Sequence, residues 1–135
     1  MNNTDIINEA FENGITGDNK NNVSNAVTET ISSLDQGKLR VAENKDGQWT
    51  VNEWVKKAIL LSFRLNQNKA IATRYTKFFD KVDSKFLHPP EEYLKEKNIR
   101  IVPQAIARHG SFVDKNVVLM PSFANIGAYG GEGPL

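Results

Sequence analysis

Apolar residues recur at helical spacing in two stretches near the start of the chain, and each stretch ends at a glycine. Ile6, Ile7, Ala10 and Phe11 fall on one face of the segment 4–13, with Asn3 or Thr4 able to cap its start and Gly14 suited to its end. The segment 15–20, ITGDNK, reads as a loop. A second stripe of Val23, Ala26, Val27, Ile31 and Leu34 predicts a helix over about 22–36, with Gly37 just past its C-cap. Two amphipathic helices joined by a short loop are expected to pack on each other.

The period then changes. KLRVAE alternates, placing Leu39 and Val41 on one side, and Asp46-Gly47 followed by QWTV predicts a tight hairpin. Thr50 and Glu53 have the spacing of a capping box, so a third helix is expected from there. Trp54, Val55, Ala58, Ile59, Leu61 and Phe63 make it apolar over much of its circumference, which suits the central helix of a domain. NQNKAIAT reads as a loop and RYTKFFDKV as a strand. His88-Pro89-Pro90 breaks the chain, EEYLKEKN predicts a short helix with acids in its first turn, and IRIV a brief strand ending at Pro103.

From Ile106 onward neither period holds. Ile106, Phe112, Val118, Ala124 and Gly130 lie six apart, with small and polar residues such as Ser111, Asn116, Ser122 and Gly127 between them. A helix does not repeat at six, and a plain strand does not need corners so often. A six-residue apolar period is the pattern of a hexapeptide β-helix, in which each repeat supplies one short side of a coil and the periodic residue points inward. The expected fold is therefore α+β, with an α-rich unit carrying a small hairpin over 1–104 and the start of a parallel β-helix over 105–135.

Composition narrows the chemistry. The 135 residues carry a formal net charge of +1, which gives no strong pull toward nucleic acid or an anionic membrane. Cysteine is absent, so disulfides, thiolate metal sites and a cysteine nucleophile are excluded together, and a cytoplasmic setting is expected. No apolar run approaches the roughly 20 residues that span a bilayer, and the first residues lack the pattern of a secretory signal.

The blocks LRVAE, DGQW, EWVKKAILLSFRLN, FFDKV, IRIVPQAIAR and VLMPSFANIGAY, in that order, closely resemble the tetrahydrodipicolinate N-succinyltransferase family. The resemblance runs from the first helix to Tyr129. It implies a homotrimer whose subunits have an α-rich N-terminal domain, a left-handed parallel β-helix and a small C-terminal cap. It implies transfer of the acyl group of succinyl-CoA, a co-substrate and not a bound cofactor, to the amine of opened tetrahydrodipicolinate, in lysine biosynthesis by the diaminopimelate route. Substrates would bind between neighbouring β-helices, and a nearby group would take the amine's proton. The arginine of the family's R-[IV]-V-P segment, a ligand of the dicarboxylate substrate, falls on Arg100. A guanidinium can grip a carboxylate with two parallel charge-assisted bonds.

The family continues GAYVDEGTMVDTWATVG where this chain reads GAYGGEGPL. The resemblance thus places the substrate-binding aspartate of MVDTW, the acidic residue near the acyl group and the CoA-binding coils beyond Leu135. The expectation is an N-terminal portion with no catalytic residue of its own, inactive alone. The alternative is a non-catalytic assembly or binding module whose coil docks on a partner's β-helix.

Other residues invite sharper readings that their surroundings do not favour. Lys56, Lys57, Arg64, Lys69, Arg74 and Lys77 form a basic stretch, read as a solvated face and not as an anion or RNA site. His88 and His109 are too isolated for a metal site and read as polar turn residues. Trp49 and Trp54 are expected in the core. The GGEG near the end lacks the Lys-Ser/Thr and helix of a phosphate loop, and Ser111 and Ser122 have no triad partners.

Overall fold

The computed structural model describes residues 1–73 and 76–133. Helix α1, Asn3–Asn13, is capped by Asn2, whose side chain accepts from the Asp5 N–H at 2.9 Å. The predicted cap at Asn3 or Thr4 thus lies one or two residues too late. Helix α2, Lys20–Asp35, ends as its glycine demands. The Gly37 N–H reaches Leu34 O and the Lys38 N–H reaches Ser33 O, a Schellman pair closed by Gly37 at φ 74°. All five residues of the predicted stripe are buried. They pack with Ile7, Ala10, Val55, Ala58 and Leu61 into a first core of three helices.

Strands β1, Ala42–Lys45, and β2, Gln48–Val51, form the predicted antiparallel hairpin. Its turn residues Asp46 and Gly47 both have positive φ, 53° and 85°, as a two-residue primed turn requires. Trp49 does not enter the core: it is 66% exposed, because β2 lies on the surface and its hairpin face has no layer above it. Trp54 packs against the first core as expected. Helix α3, Glu53–Leu65, starts where predicted, but Asn52 is its N-cap and no side-chain cap bond forms, so the capping box is not made. Asn52 has another task. Its side chain donates to Arg40 O at 2.8 Å and its N–H to Val41 O at 2.7 Å, closing the base of the hairpin.

The segment read as a loop, NQNKAIAT, contains strand β3, Lys69–Ala72, paired antiparallel with β4, Lys77–Asp80. The missed signal was the partner, because KAIA alternates only weakly by itself. The predicted strand RYTKFFDKV survives as β4, while Arg74 and Tyr75 lie outside the described residues. Helix α4, Glu91–Lys97, ends at Asn98 in the left-handed conformation.

Six two-residue strands follow: β5 (Arg100–Ile101), β6 (Ile106–Ala107), β7 (Phe112–Val113), β8 (Val118–Leu119), β9 (Phe123–Ala124) and β10 (Tyr129–Gly130). β5 pairs with β8, β6 with β9 and β7 with β10, all parallel. Each of the first three strands is therefore paired with the strand three further along the chain. The parallel pairing already includes Arg100, four residues before the expected boundary at 104.

The inward ladder needs a correction of phase. Ala107, Val113 and Leu119 are the buried residues, whereas Ile106 is 37% exposed and Phe112 and Val118 are half-buried. Ala124 packs against the second core and Gly130 lies opposite Val113, so these two positions of the predicted ladder do lie on the inner side. The register explains the slip. Ile101 pairs with Leu119 but Ala107 pairs with Ala124, so the step from 119 to 124 is five residues where the others are six. A strict count of six back from Ala124 lands one residue off at each earlier side, which in a strand turns the side chain to the other face.

The two cores are joined by a partly buried ion pair. Lys85, with 6% of its side chain exposed, places Nζ 2.8 Å from Asp35 Oδ1 and 2.7 Å from Asp35 O at the end of α2. The same Oδ1 accepts from the Gly110 N–H at 3.0 Å. Helix α2, the segment after β4 and the turn before β7 thus meet at one carboxylate.

Candidate functional site

Arg100 opens β5 with its N–H donated to Val117 O at 3.0 Å. Alternation along the strand turns Ile101 toward the second core and Arg100 to the exposed side. Among the described residues its guanidinium forms no ion pair or hydrogen bond, so its donors remain free for a ligand. The corner before it is built from asparagines. Asn98 and Asn116 both adopt positive φ, 52° and 64°. Asn98 Nδ2 donates to Asn116 Oδ1 at 3.1 Å, and Asn116 Nδ2 to Glu132 Oε1 at 3.1 Å. This stack sets the height at which Arg100 lies beside Val118.

A cleft of about 610 Å³ lies around the corner from Arg100. One wall is the face of the β3–β4 hairpin that carries Ile71 and Phe78, and the other carries Ile101, Pro103, Ile106 and Phe123. Arg100 is not part of its lining. Its charged members are Asp80, Asp83 and Arg108. Arg108 Nη2 lies 3.0 Å from Asp80 Oδ2, Nη1 donates to Asn125 Oδ1 at 3.1 Å, and the guanidinium sits 5.6 Å from the centre of the Phe123 ring. The Asp80 carboxyl is held below the usual range by the Lys81 N–H first and then by Arg108, with burial opposing. Arg108 is thus occupied within the chain, while among the described residues Arg100 has no such partner.

The residues set aside by sequence behave variously. Lys56 pairs with Glu53 and Lys69 with Asp83, both exposed, whereas Lys57 and Arg64 each lie 5.5 Å from the Phe11 ring centre. Arg74 of that stretch lies outside the described residues. His88 is exposed, and His109 Nδ1 stands 3.5 Å from Asp35 Oδ1. Among the described residues no group of three His, Asp or Glu is placed to hold a metal ion. Ser111 is fully buried and donates its hydroxyl to Arg108 O at 2.7 Å, and Ser122 donates to Met120 O at 2.6 Å. No helix among the described residues is long and apolar enough to cross a membrane. Sequence reasoning missed Arg108, Asp80 and the Asp35–Lys85 pair. The one usable hint was that Arg108 and Asn125 stand 17 apart, the spacing of the paired strands.

Comparison with known proteins agrees with the resemblance read from the sequence. Residues 2–65 match the family model described as the tetrahydrodipicolinate N-succinyltransferase N-terminal domain. A protein of Acinetobacter baylyi named 2,3,4,5-tetrahydropyridine-2,6-dicarboxylate N-succinyltransferase is 54% identical over 127 residues, which is 92% of this chain and 46% of that protein. Proteins of the same name from Herminiimonas arsenicoxydans and Acinetobacter baumannii are 51% and 52% identical, over 92% and 91% of this chain and 47% and 46% of theirs. The chain spans about half the length of the curated relatives it matches, and it is similar to their N-terminal portion.

Proposed function

We propose that this chain is the amino-terminal part of a tetrahydrodipicolinate N-succinyltransferase acting in cytoplasmic lysine biosynthesis through diaminopimelate. The observation that carries this reading is identity of 51–54% sustained over 92% of the chain, through the helical unit and on into the parallel-paired segment. On this reading the pairs β5–β8, β6–β9 and β7–β10 begin a left-handed parallel β-helix. Arg100 then stands on the β-helix side of the boundary between the two units. The working protein is a homotrimer with its substrates bound between neighbouring coils.

The reaction joins the amine of the opened substrate to the succinyl carbonyl of succinyl-CoA. The N–C bond forms, the C–S bond breaks, CoA leaves as the thiol, and the amine's proton passes to a base. Arg100 takes one carboxylate of the amino dicarboxylate. Three features support that role: its place on the outer side of β5, its free donors, and an asparagine corner that fixes its height. A bidentate guanidinium–carboxylate pair is worth about 1.5–3 kcal/mol, so its loss weakens substrate binding roughly tenfold or more.

The test joins this chain to the remaining half of a relative and follows thiol release from succinyl-CoA with the amino dicarboxylate. The expected result is release that depends on both substrates. Arg100→Ala is expected to raise KM for the dicarboxylate about tenfold while leaving KM for succinyl-CoA unchanged. A folded hybrid that releases no thiol sinks the assignment and favours the assembly-module reading. An unchanged KM in the arginine variant sinks the role of Arg100 alone.

A further inference from the structure

Two places in this chain put an asparagine or aspartate directly before a glycine: Asn13-Gly14 and Asp46-Gly47. There the backbone amide of the glycine can attack its neighbour's side chain and close a five-membered imide. In a free peptide near neutral pH the asparagine is the faster of the two, because ammonia leaves an amide more readily than water leaves a carboxylate.

The fold treats the two sites differently. Asn13 is the last residue of α1, and the Gly14 N–H that would attack it donates to Ala10 O at 2.9 Å. Ala10 is buried in the first core, so this last turn is anchored. Asn19 Nδ2 holds the Gly14 carbonyl at 3.2 Å, and Asn19 itself is fixed by the Thr16 N–H at 2.7 Å. The glycine is pinned from both sides. Asp46 and Gly47 instead form the tip of the β1–β2 hairpin, both exposed. Among the described residues the Asp46 carboxylate has no hydrogen bond or ion pair and the Gly47 N–H has no acceptor.

We propose that Asp46 is a site of spontaneous covalent modification, rearranging to isoaspartate, and that the fold shields Asn13 from the equivalent reaction. The Gly47 nitrogen attacks Asp46 Cγ. The N–Cγ bond forms, the Cγ–O bond breaks, and the amide proton leaves with the hydroxyl as water. Water then opens the ring at either carbonyl. One opening restores aspartate, and the other leaves the main chain running through Cβ and Cγ. Nothing is oxidised or reduced and the mass is unchanged overall. The isoaspartyl form adds one carbon to a two-residue turn whose flanking pair is Lys45 and Gln48, so the outer ladder of the hairpin loses its register. The lesion stops at Asn52, which ties the base of the hairpin through Arg40 O and Val41 O.

The test ages the full chain near neutral pH, folded and separately in guanidinium, and follows each site by peptide mapping. Isoaspartate at 46 is read by enzymatic methylation of the isoaspartyl carboxyl, and deamidation at 13 by its mass gain. Each site is compared with itself, so the different chemistries cancel. Folding is expected to slow Asn13 at least about tenfold more than Asp46, the difference between a bonded amide in an anchored turn and a free one at a loop tip. Equal slowing, or greater slowing at 46, overturns the proposal. The variant Asp46→Asn puts the same chemistry at both places and suits the same turn. In the folded variant position 46 is expected to deamidate ahead of Asn13, and the reverse order overturns the proposal as well.

Discussion

Asp35 and Lys85 look equivalent on paper, but removing one costs more than removing the other. The Lys85 ammonium is nearly sealed, with 6% of its side chain exposed, while Asp35 keeps 21%. Asp35→Asn leaves a nearly sealed cation facing an amide, one backbone carbonyl at 2.7 Å and the Phe86 ring centre at 5.8 Å. An uncompensated buried charge of this kind costs about 3–5 kcal/mol. Lys85→Met removes the charge and fills the space with an apolar chain of similar length. The carboxylate it strands can still reach water and keeps the Gly110 N–H at 3.0 Å, so the loss falls in the range of about 1–3 kcal/mol for an under-satisfied polar group. In the double variant neither charge remains, and much of the asparagine's penalty is expected to vanish.

Urea denaturation followed by circular dichroism gives the three stabilities, with unchanged slopes as the condition for comparing midpoints. The double-mutant cycle then yields a coupling of about 1–3 kcal/mol. The reasoning fails if Lys85→Met destabilises as much as Asp35→Asn, or if the cycle gives no coupling. Either result would mean that the ammonium is hydrated in solution and that the two cores are not joined through it.

Three further outcomes follow from the geometry. Gly37→Ala forces a side chain into a φ of 74° and sets its Cβ 2.7 Å from the Phe112 ring, so a loss of about 2 kcal/mol or more is expected by thermal unfolding. At the asparagine corner, Asn116→Gly keeps the left-handed backbone and loses only exposed hydrogen bonds. Asn116→Ala adds the left-handed penalty, so alanine should be the less stable by roughly 1–2 kcal/mol, and equal melting points would refute the backbone argument. Asp80 has a folded pKa below its unfolded one, so its contribution to stability is present above about pH 4 and is lost as pH falls through the lower folded value. Asp80→Asn is expected to be less stable than the parent at neutral pH and to converge on it in acid, and a constant gap across that window would show that the ionised carboxylate is not the cause.

What could be read from the sequence divides along a physical line. Helices α1, α2 and α3 and the β1–β2 hairpin are specified by contacts a few residues apart, and their stripes, Gly37 and Asp46-Gly47 announce them. Strand β3 escapes the sequence because a two-stranded ribbon is defined by its partner, and KAIA alternates only weakly on its own. Trp49 was misplaced because a large aromatic in a strand implies a packed face, and nothing in the letters says that this hairpin has none. Arg100 needed the resemblance, since a lone arginine on a short strand carries no local mark of a ligand.

The six-residue ladder misses its phase: Ala107, Val113 and Leu119 are the buried positions, each one residue after the position counted. Six-residue spacing depends on equal sides. The corner through Met120, Pro121 and Ser122 is one residue short, and a sequence does not show which corner has been tightened. Polarity does not help. Counted back from Ala124 by six, the ladder takes Ile106, Phe112 and Val118 inward and leaves Ala107, Val113 and Leu119 outside, an equally apolar trade. Both faces of these sides are apolar because both are in use. Ala107, Val113 and Leu119 fill the second core, while Phe112 lies over Gly37 and against Tyr129, whose ring carries the Arg40 guanidinium at 3.9 Å. A strand that packs on two sides loses the alternation that would fix its phase. The same double packing that seats the helical unit on the parallel-paired segment is therefore what hid that segment's register from the sequence.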